Sequence, residues 1–257
     1  MPSLHIDFNR EIEKPAWKCC ALAISEISIL TLIEVEIIVI DRITIKGLLP
    51  SVFHDERDEA RIENSDVWLK ELTFEKPQSY LVYAESGTGK SSLCAFLYGN
   101  RRDYEGGIEI DGRDVKGLNI EQWSELRCKA LAYLPQQLSL FPELTAVDNV
   151  LLKNRLTDYF TEKEIRRLFE HLEVDNRADS AVGCLSIGQQ QRVAIVRALA
   201  QPFDFLLLDE PVSHLDARNN KAVAQLISSQ IEERKASLIA TSVGNNLMVD
   251  NFNTLRL

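Results

Sequence analysis

The chain is predicted to be an α/β protein built on a mainly parallel sheet, and three observations carry that expectation. Apolar strands alternate with helical stretches from residue 42 onward. A glycine-rich turn, Ala84-Glu85-Ser86-Gly87-Thr88-Gly89-Lys90-Ser91, follows one of those strands and opens a helix. Phe205-Leu206-Leu207-Leu208 is too uniformly apolar for anything but a buried parallel strand, and it ends in Asp209-Glu210. Phosphate chemistry at strand ends belongs to this class of fold.

The elements follow in chain order. Residues 1–40 are an extension of unknown role. Within it Cys19–Ile40 is long and apolar, but Glu26, Glu34 and Glu36 interrupt it. Its Leu, Ile and Val residues favour membrane insertion by about 4–7 kcal/mol and the three carboxylates oppose it by about 7, so a stable span is not expected. Acidic residues ahead of the apolar run, Asp7, Glu11 and Glu13, also argue against a signal peptide. Ile33-Glu34-Val35-Glu36-Ile37 alternates like a strand, as does Arg42-Ile43-Thr44-Ile45-Lys46. His54–Glu63 is charged and reads as a solvated loop. Leu72–Phe74 and Tyr80–Tyr83 read as strands, Ser91–Tyr98 as the helix after the glycine turn, and Gly107–Gly112 as a short strand closed by Asp111-Gly112. From Leu144 to Asp179 the pattern is helical. Thr161-Glu162-Lys163-Glu164 is a capping box there, with Ile165, Leu168 and Leu172 as the apolar stripe behind it. Gln189–Leu199 is a further helix and Leu238-Ile239-Ala240 a further strand.

Bulk properties narrow the function. A net charge of −10 and a pI near 5.0 work against nucleic-acid phosphates as partners. Five cysteines, an odd number without C-x-x-C spacing, fit a reduced cytosolic compartment. His5, His54, His171 and His214 are scattered and show no metal-ligand spacing.

Residues Ala84–Ser91 match G-x-x-x-x-G-K-[ST] except for Ala84 at the first glycine. Backbone N–H groups of such a turn face a polyphosphate, so Ser86, Gly87, Thr88, Gly89, Lys90, Ser91 and Ser92 are the nucleotide-binding candidates. Lys90 brings charge to the β- and γ-phosphates, and Ser91 offers a hydroxyl to Mg²⁺. Ala84 is tolerable where its φ is negative. Asp209 places a carboxylate at the metal, and Glu210 can orient or deprotonate the attacking water.

Leu185-Ser186-Ile187-Gly188-Gln189 resembles the LSGGQ signature of the ATP-binding cassette family, with Ile at the third place. The resemblance extends in order over residues 41–257. It implies a phosphate-loop ATPase core with an antiparallel β subdomain and an inserted helical subdomain at about 137–184. It further implies two cassettes paired head to tail, of the same chain or of a paralogous one. Ser186, Gly188 and Gln189 of one would face the ATP held by Lys90 of the other. Gln136, in Leu134-Pro135-Gln136-Gln137, fits the glutamine loop that touches Mg²⁺ and water. Ser213-His214-Leu215-Asp216 fits the loop that crosses the interface. Phe53 is the candidate for stacking on adenine, and reads equally well as a core phenylalanine; Ser186 also reads as a plain helix N-cap. The run Leu140–Leu199 looks most like the lipoprotein-release, macrolide-efflux and cell-division cassettes. The implied function is an ATPase peripheral to the inner face of the cell membrane, driving a separately encoded permease.

One position departs from the family. After Leu238-Ile239-Ala240-Thr241 it places a histidine against the γ-phosphate; here stands Ser242. Losing one preorganised donor costs roughly 10²–10³ in rate, so slow hydrolysis with intact nucleotide binding is expected, with Ser242 as a weak substitute. The alternative is a nucleotide-gated interaction module with little hydrolysis. A DNA-repair or translation cassette is disfavoured, because neither a long coiled-coil or zinc insertion nor a tandem cassette is present.

Overall fold

Two sheets share the chain, and the apolar pattern of each strand decides which core it feeds. The computed structural model describes residues 39–56 and 59–257, so the strand expected at Ile33–Ile37 lies outside the described residues. The first sheet is antiparallel. Strand β1 (Arg42–Pro50) runs past the expected Lys46 because Leu48 and Leu49 are also fully buried. It pairs with β2 (Glu71–Glu75) on one side and β4 (Tyr104–Ile110) on the other. A turn at Asp111-Gly112, both at positive φ as a tight hairpin requires, returns the chain into β5 (Arg113–Asp114). The order is β2-β1-β4-β5.

Between β1 and β2 the expected solvated loop is instead structured. A 3₁₀ turn spans Ser51–Glu56 and a single helical turn, α1, spans Ala60–Glu63. The charged run carries two apolar anchors, Phe53 and Ile62, and both sink into the core. Their burial holds the segment down while His54, Asp55, Glu59 and Glu63 stay exposed.

The second sheet is parallel throughout. Strand β3 (Ser79–Tyr83) leads through the glycine turn into α2 (Lys90–Leu97). Helix α3 (Ile120–Lys129), opened by an Asn119/Gln122 capping box, precedes β6 (Leu131–Leu134). The helical stretch resolves into α4 (Ala146–Asn154) and α5 (Glu162–His171), the latter with the expected Thr161/Glu164 box. A bridge between Thr145 and Ala181 closes this segment at its base. Next come α6 (Ile187–Leu199), β7 (Phe205–Asp209), α7 (Ala217–Arg234), β8 (Ser237–Ser242) and β9 (Asn253–Arg256). The strand order is β6-β7-β8-β3-β9.

Every residue of β7 is buried, and the period-2 alternation divides them between two cores. Phe205 and Leu207 join Tyr80, Val82 and Ile239 in the core shared with the antiparallel sheet and α2. Leu206 and Leu208 join Leu81, Leu238 and Ala240 in the core built with α4 to α7. Because β3, β6, β7 and β8 all run the same way, their carboxyl ends lie on one edge. That edge carries the motifs, as expected of open α/β sheets.

Candidate functional site

Beyond Tyr83 the chain leaves β3 and turns back on itself before entering α2 at Lys90. Gly87 and Gly89 take φ of 84° and 99°, in the left-handed region. Ala84 has no such φ, so replacing the first glycine of the motif strains nothing. Gly89 is also closely covered. A Cβ there would lie 2.9 Å from the Trp68 ring and 3.1 Å from that of Phe53. Trp68 Nε1 donates to the Thr88 carbonyl at 3.1 Å, so this buried pair braces the loop from below. Phe53 is 8% exposed and packs in the core against the loop, the second of the two places expected of it.

Lys90 is 4% exposed, and its ammonium donates to the carbonyls of Ala84 at 3.1 Å and Glu85 at 2.5 Å. Burial pulls its pKa below the ordinary lysine value, with Glu210 and Asp209 opposing that pull. A buried ammonium held by two backbone carbonyls can exchange them for an anion. Ser86 and Ser91 are exposed at the loop and the start of α2, whereas the Ser92 hydroxyl already accepts from Arg101 at 2.9 Å. A cleft of about 910 Å³ lies beside the loop, lined in part by Tyr83, Glu85, Ser86, Thr88 and Arg256.

One strand away, β7 delivers its two carboxylates. Asp209 stands opposite Thr241 of β8, whose hydroxyl donates to Asp209 Oδ1 at 2.7 Å and accepts from the Glu210 N–H at 3.1 Å. Thr241, which the sequence left without a role, thus fixes both acidic residues. Glu210 takes φ of 52°, a left-handed conformation that a non-glycine residue holds only under constraint. The constraint is visible: its carbonyl accepts from Gln191 Nε2 at 3.1 Å and from Ser213 Oγ at 3.2 Å.

Ser242 ends β8 at this edge, beside Tyr83 in register. Its side chain is buried and its hydroxyl donates to the Asn245 carbonyl at 3.1 Å. That hydroxyl closes the turn after β8. Gln136 is exposed just past β6, at the same edge.

Ser186 caps α6 through a reciprocal box with Gln189, its hydroxyl accepting from Gln189 N at 3.3 Å and its N–H donating to Gln189 Oε1 at 2.9 Å. The Gln189 side chain is thus turned back on the start of the helix. Gly188 abuts the Ser213–Leu215 turn, where a Cβ would meet the His214 carbonyl at 3.2 Å. Gln191, buried one helical turn on, also donates to Ser213 Oγ and accepts from the His214 N–H. Asn245 secures the far side of that turn by donating to the carbonyls of Val212 at 2.7 Å and Leu215 at 3.3 Å. Gln191, Asn245 and Trp68 escaped the sequence reading, because nothing in their spacing marks them.

Known proteins share this arrangement. The family model for ABC transporter matches residues 70–213. The lipoprotein-releasing system ATP-binding protein LolD of Leptospira interrogans is 32% identical over 160 residues, 62% of this chain and 68% of that protein. The aliphatic sulfonates import ATP-binding protein SsuB of Bacillus licheniformis is 33% identical over 168 residues, 65% of this chain and 62% of that protein. Among solved structures, the dimeric bacterial ABC transporter cassette MJ0796 superposes with a TM-score of 0.70 at 24% identity, over 83% of this chain and 94% of that one. With the glycine loop, the Asp209-Glu210 strand end and the α6 cap already in place, these matches mean that the chain belongs to the ABC transporter family, as its ATP-hydrolysing cassette.

Proposed function

We propose that the chain binds ATP with Mg²⁺ at the 84–92 loop, pairs head to tail with a second cassette, and hydrolyses ATP to drive a separately encoded membrane permease. The carrying observation is the convergence of Lys90, Asp209 and Glu210 on one sheet edge, with Lys90 sensing both carboxylates electrostatically. In this reading the Lys90 ammonium exchanges its two carbonyl partners for phosphate oxygens. Glu210, locked by Thr241, Gln191 and Ser213, takes the proton of the attacking water. The donor set suits Mg²⁺, being all oxygen: the Ser91 hydroxyl, the Gln136 amide and the free oxygen of Asp209. Mg²⁺ would supply charge neutralisation of the phosphates. Pairing is supported by Ser186, exposed at the start of α6, and by half-buried Gly188, which lies against the Ser213–Leu215 turn.

Two domains follow in this reading, the extension 1–40 and the cassette 41–257, with residues 137–184 as the helical subdomain carrying α4 and α5. No described helix is long and apolar enough to cross a membrane, so a membrane task needs another chain or another segment. The similarity to LolD favours a lipoprotein-releasing task, and SsuB at similar identity favours import of a small molecule such as an aliphatic sulfonate. The cytosolic face of the membrane is the proposed location.

A second reading, ATP as a switch for pairing with little turnover, draws on Ser242, whose hydroxyl is taken by Asn245. Steady-state phosphate release by the purified chain, beside Glu210→Gln, separates the two. Turnover that disappears with Glu210→Gln while ATP binding persists is expected. Wild-type turnover equal to that of Glu210→Gln would replace the motor by the switch.

A further inference from the structure

We propose that His214 of one copy completes the hydrolytic site of the other, supplying the imidazole that Ser242 does not. This rests on the head-to-tail pairing proposed above. Among the described residues no imidazole stands at the position of Ser242, whose hydroxyl is buried and donates to Asn245. Among the described residues the other imidazoles are His54, in contact with Glu105, and His171, in the last turn of α5.

His214 is exposed, and its backbone is tied to α6 by one hydrogen bond and lies close against the start of that helix. Its N–H donates to Gln191 Oε1 at 3.1 Å, and its carbonyl lies 3.2 Å from where a Gly188 Cβ would stand. Any pairing that brings Gly188 to the partner's γ-phosphate must bring His214 with it. The ring is also oriented. Nδ1 lies 3.0 Å from Ser213 Oγ, whose hydroxyl is also 3.2 Å from the Glu210 carbonyl. In the tautomer in which Ser213 donates to that carbonyl, Nδ1 donates to Ser213 Oγ and Nε2 is the acceptor, with no hydrogen-bond partner among the described residues.

An acceptor is what the attacking water lacks. One of its hydrogens goes to Glu210 of the site that holds the nucleotide; the other is held by Nε2 of the incoming His214. The water oxygen then bonds to the γ-phosphorus, and the bond from phosphorus to the β–γ bridging oxygen breaks with its electron pair on ADP. Glu210 keeps the proton until phosphate leaves. His214 orients the water and transfers nothing.

Subunit mixing tests this. Glu210→Gln and His214→Ala are each expected to lower kcat roughly 10²-fold or more as pure proteins. Mixed one to one, half of the pairs are hybrids. A hybrid concentrates both defects in one site and leaves the other with wild-type Glu210 and wild-type His214. Phosphate release should recover to about a quarter of the wild-type rate, a statistical figure for random two-fold pairing. A mixture no faster than its parents, or a His214→Ala protein as fast as wild type, would overturn the proposal. His214 is exposed, so the substitution should leave the melting temperature unchanged. Light scattering of Glu210→Gln with ATP separates the levels. Dimers without recovery sink His214 alone, and a monomer sinks the pairing on which it rests.

Discussion

Gly87 and Gly89 share a left-handed backbone but not a neighbourhood, and the contrast makes a residue-scale prediction. An added methyl at Gly87 meets nothing within 4 Å, so Gly87→Ala pays only for its φ, about 1 kcal/mol. At Gly89 the same strain is joined by a clash with Trp68 and Phe53, and the loop must move off its aromatic brace. Gly89→Ala should therefore cost roughly 2–4 kcal/mol by urea unfolding and abolish ATP binding by calorimetry, whereas Gly87→Ala keeps measurable affinity. Equal losses at both positions would mean that the brace contributes nothing. At this scale the sequence was legible where chemistry demands a residue type at a set spacing, as at Lys90, Asp209 and Glu210. It was illegible where a role depends on a neighbour distant in the chain. Phe53 carries the same aromatic ring whether it stacks on a base or on Gly89. Thr241 gains its role only because β8 lies in register with β7.

Helix α5 shows how far an element can be read before it is seen. Thr161 and Glu164 announce its start, and the box forms as expected, with Glu164 Oε2 accepting from the Thr161 N–H at 2.8 Å and from its hydroxyl at 2.7 Å. Thr161→Ala should destabilise by about 1 kcal/mol. These hydrogen bonds hold the Glu164 carboxyl below the usual carboxylate range. A carboxylate whose folded pKa is depressed contributes stability above its unfolded pKa and loses it as pH falls through the folded value. The stability difference between wild type and Glu164→Ala should thus be constant near neutrality and shrink below the ordinary glutamate pKa; urea melts across that range check it, and a gap that widens in acid would contradict it. The stripe behind the box was incomplete. Phe169, fully buried, belongs to it, and Leu168 is only half-buried. Strand β9 left no signal, because its four residues are mostly exposed and it is defined by pairing with β3 alone. Helix α7 had a cap at Asp216, but its buried face includes Asn220, Ala224 and Gln230, which blurs the apolar period.

For the whole molecule, strand identity was readable and strand order was not, since no local pattern records that β3 is inserted between β8 and β9. Order matters because it sets which motif touches which. Among the described residues, the hydrogen bonds that join α6 to the Glu210 edge come from one side chain. Gln191, 2% exposed, reaches from α6 to the Glu210 carbonyl, the Ser213 hydroxyl and the His214 N–H. Replacing it by leucine keeps the volume and leaves buried polar groups unpaired, at a cost of about 1–3 kcal/mol in folding stability. The larger effect should be functional. With Gln191→Leu the Glu210 backbone loses a constraint on its left-handed conformation, and the Ser213–Leu215 turn loses its tie to α6. In the proposed function nucleotide binds through the glycine loop and Lys90, which Gln191 does not touch, and its binding should be spared. Turnover is therefore expected to fall by roughly 10–10² while ATP affinity changes less than about threefold, a loss confined to the transition state. Equilibrium binding and phosphate release on the same preparation decide it. A parallel fall in both would mean that Gln191 merely holds the fold together.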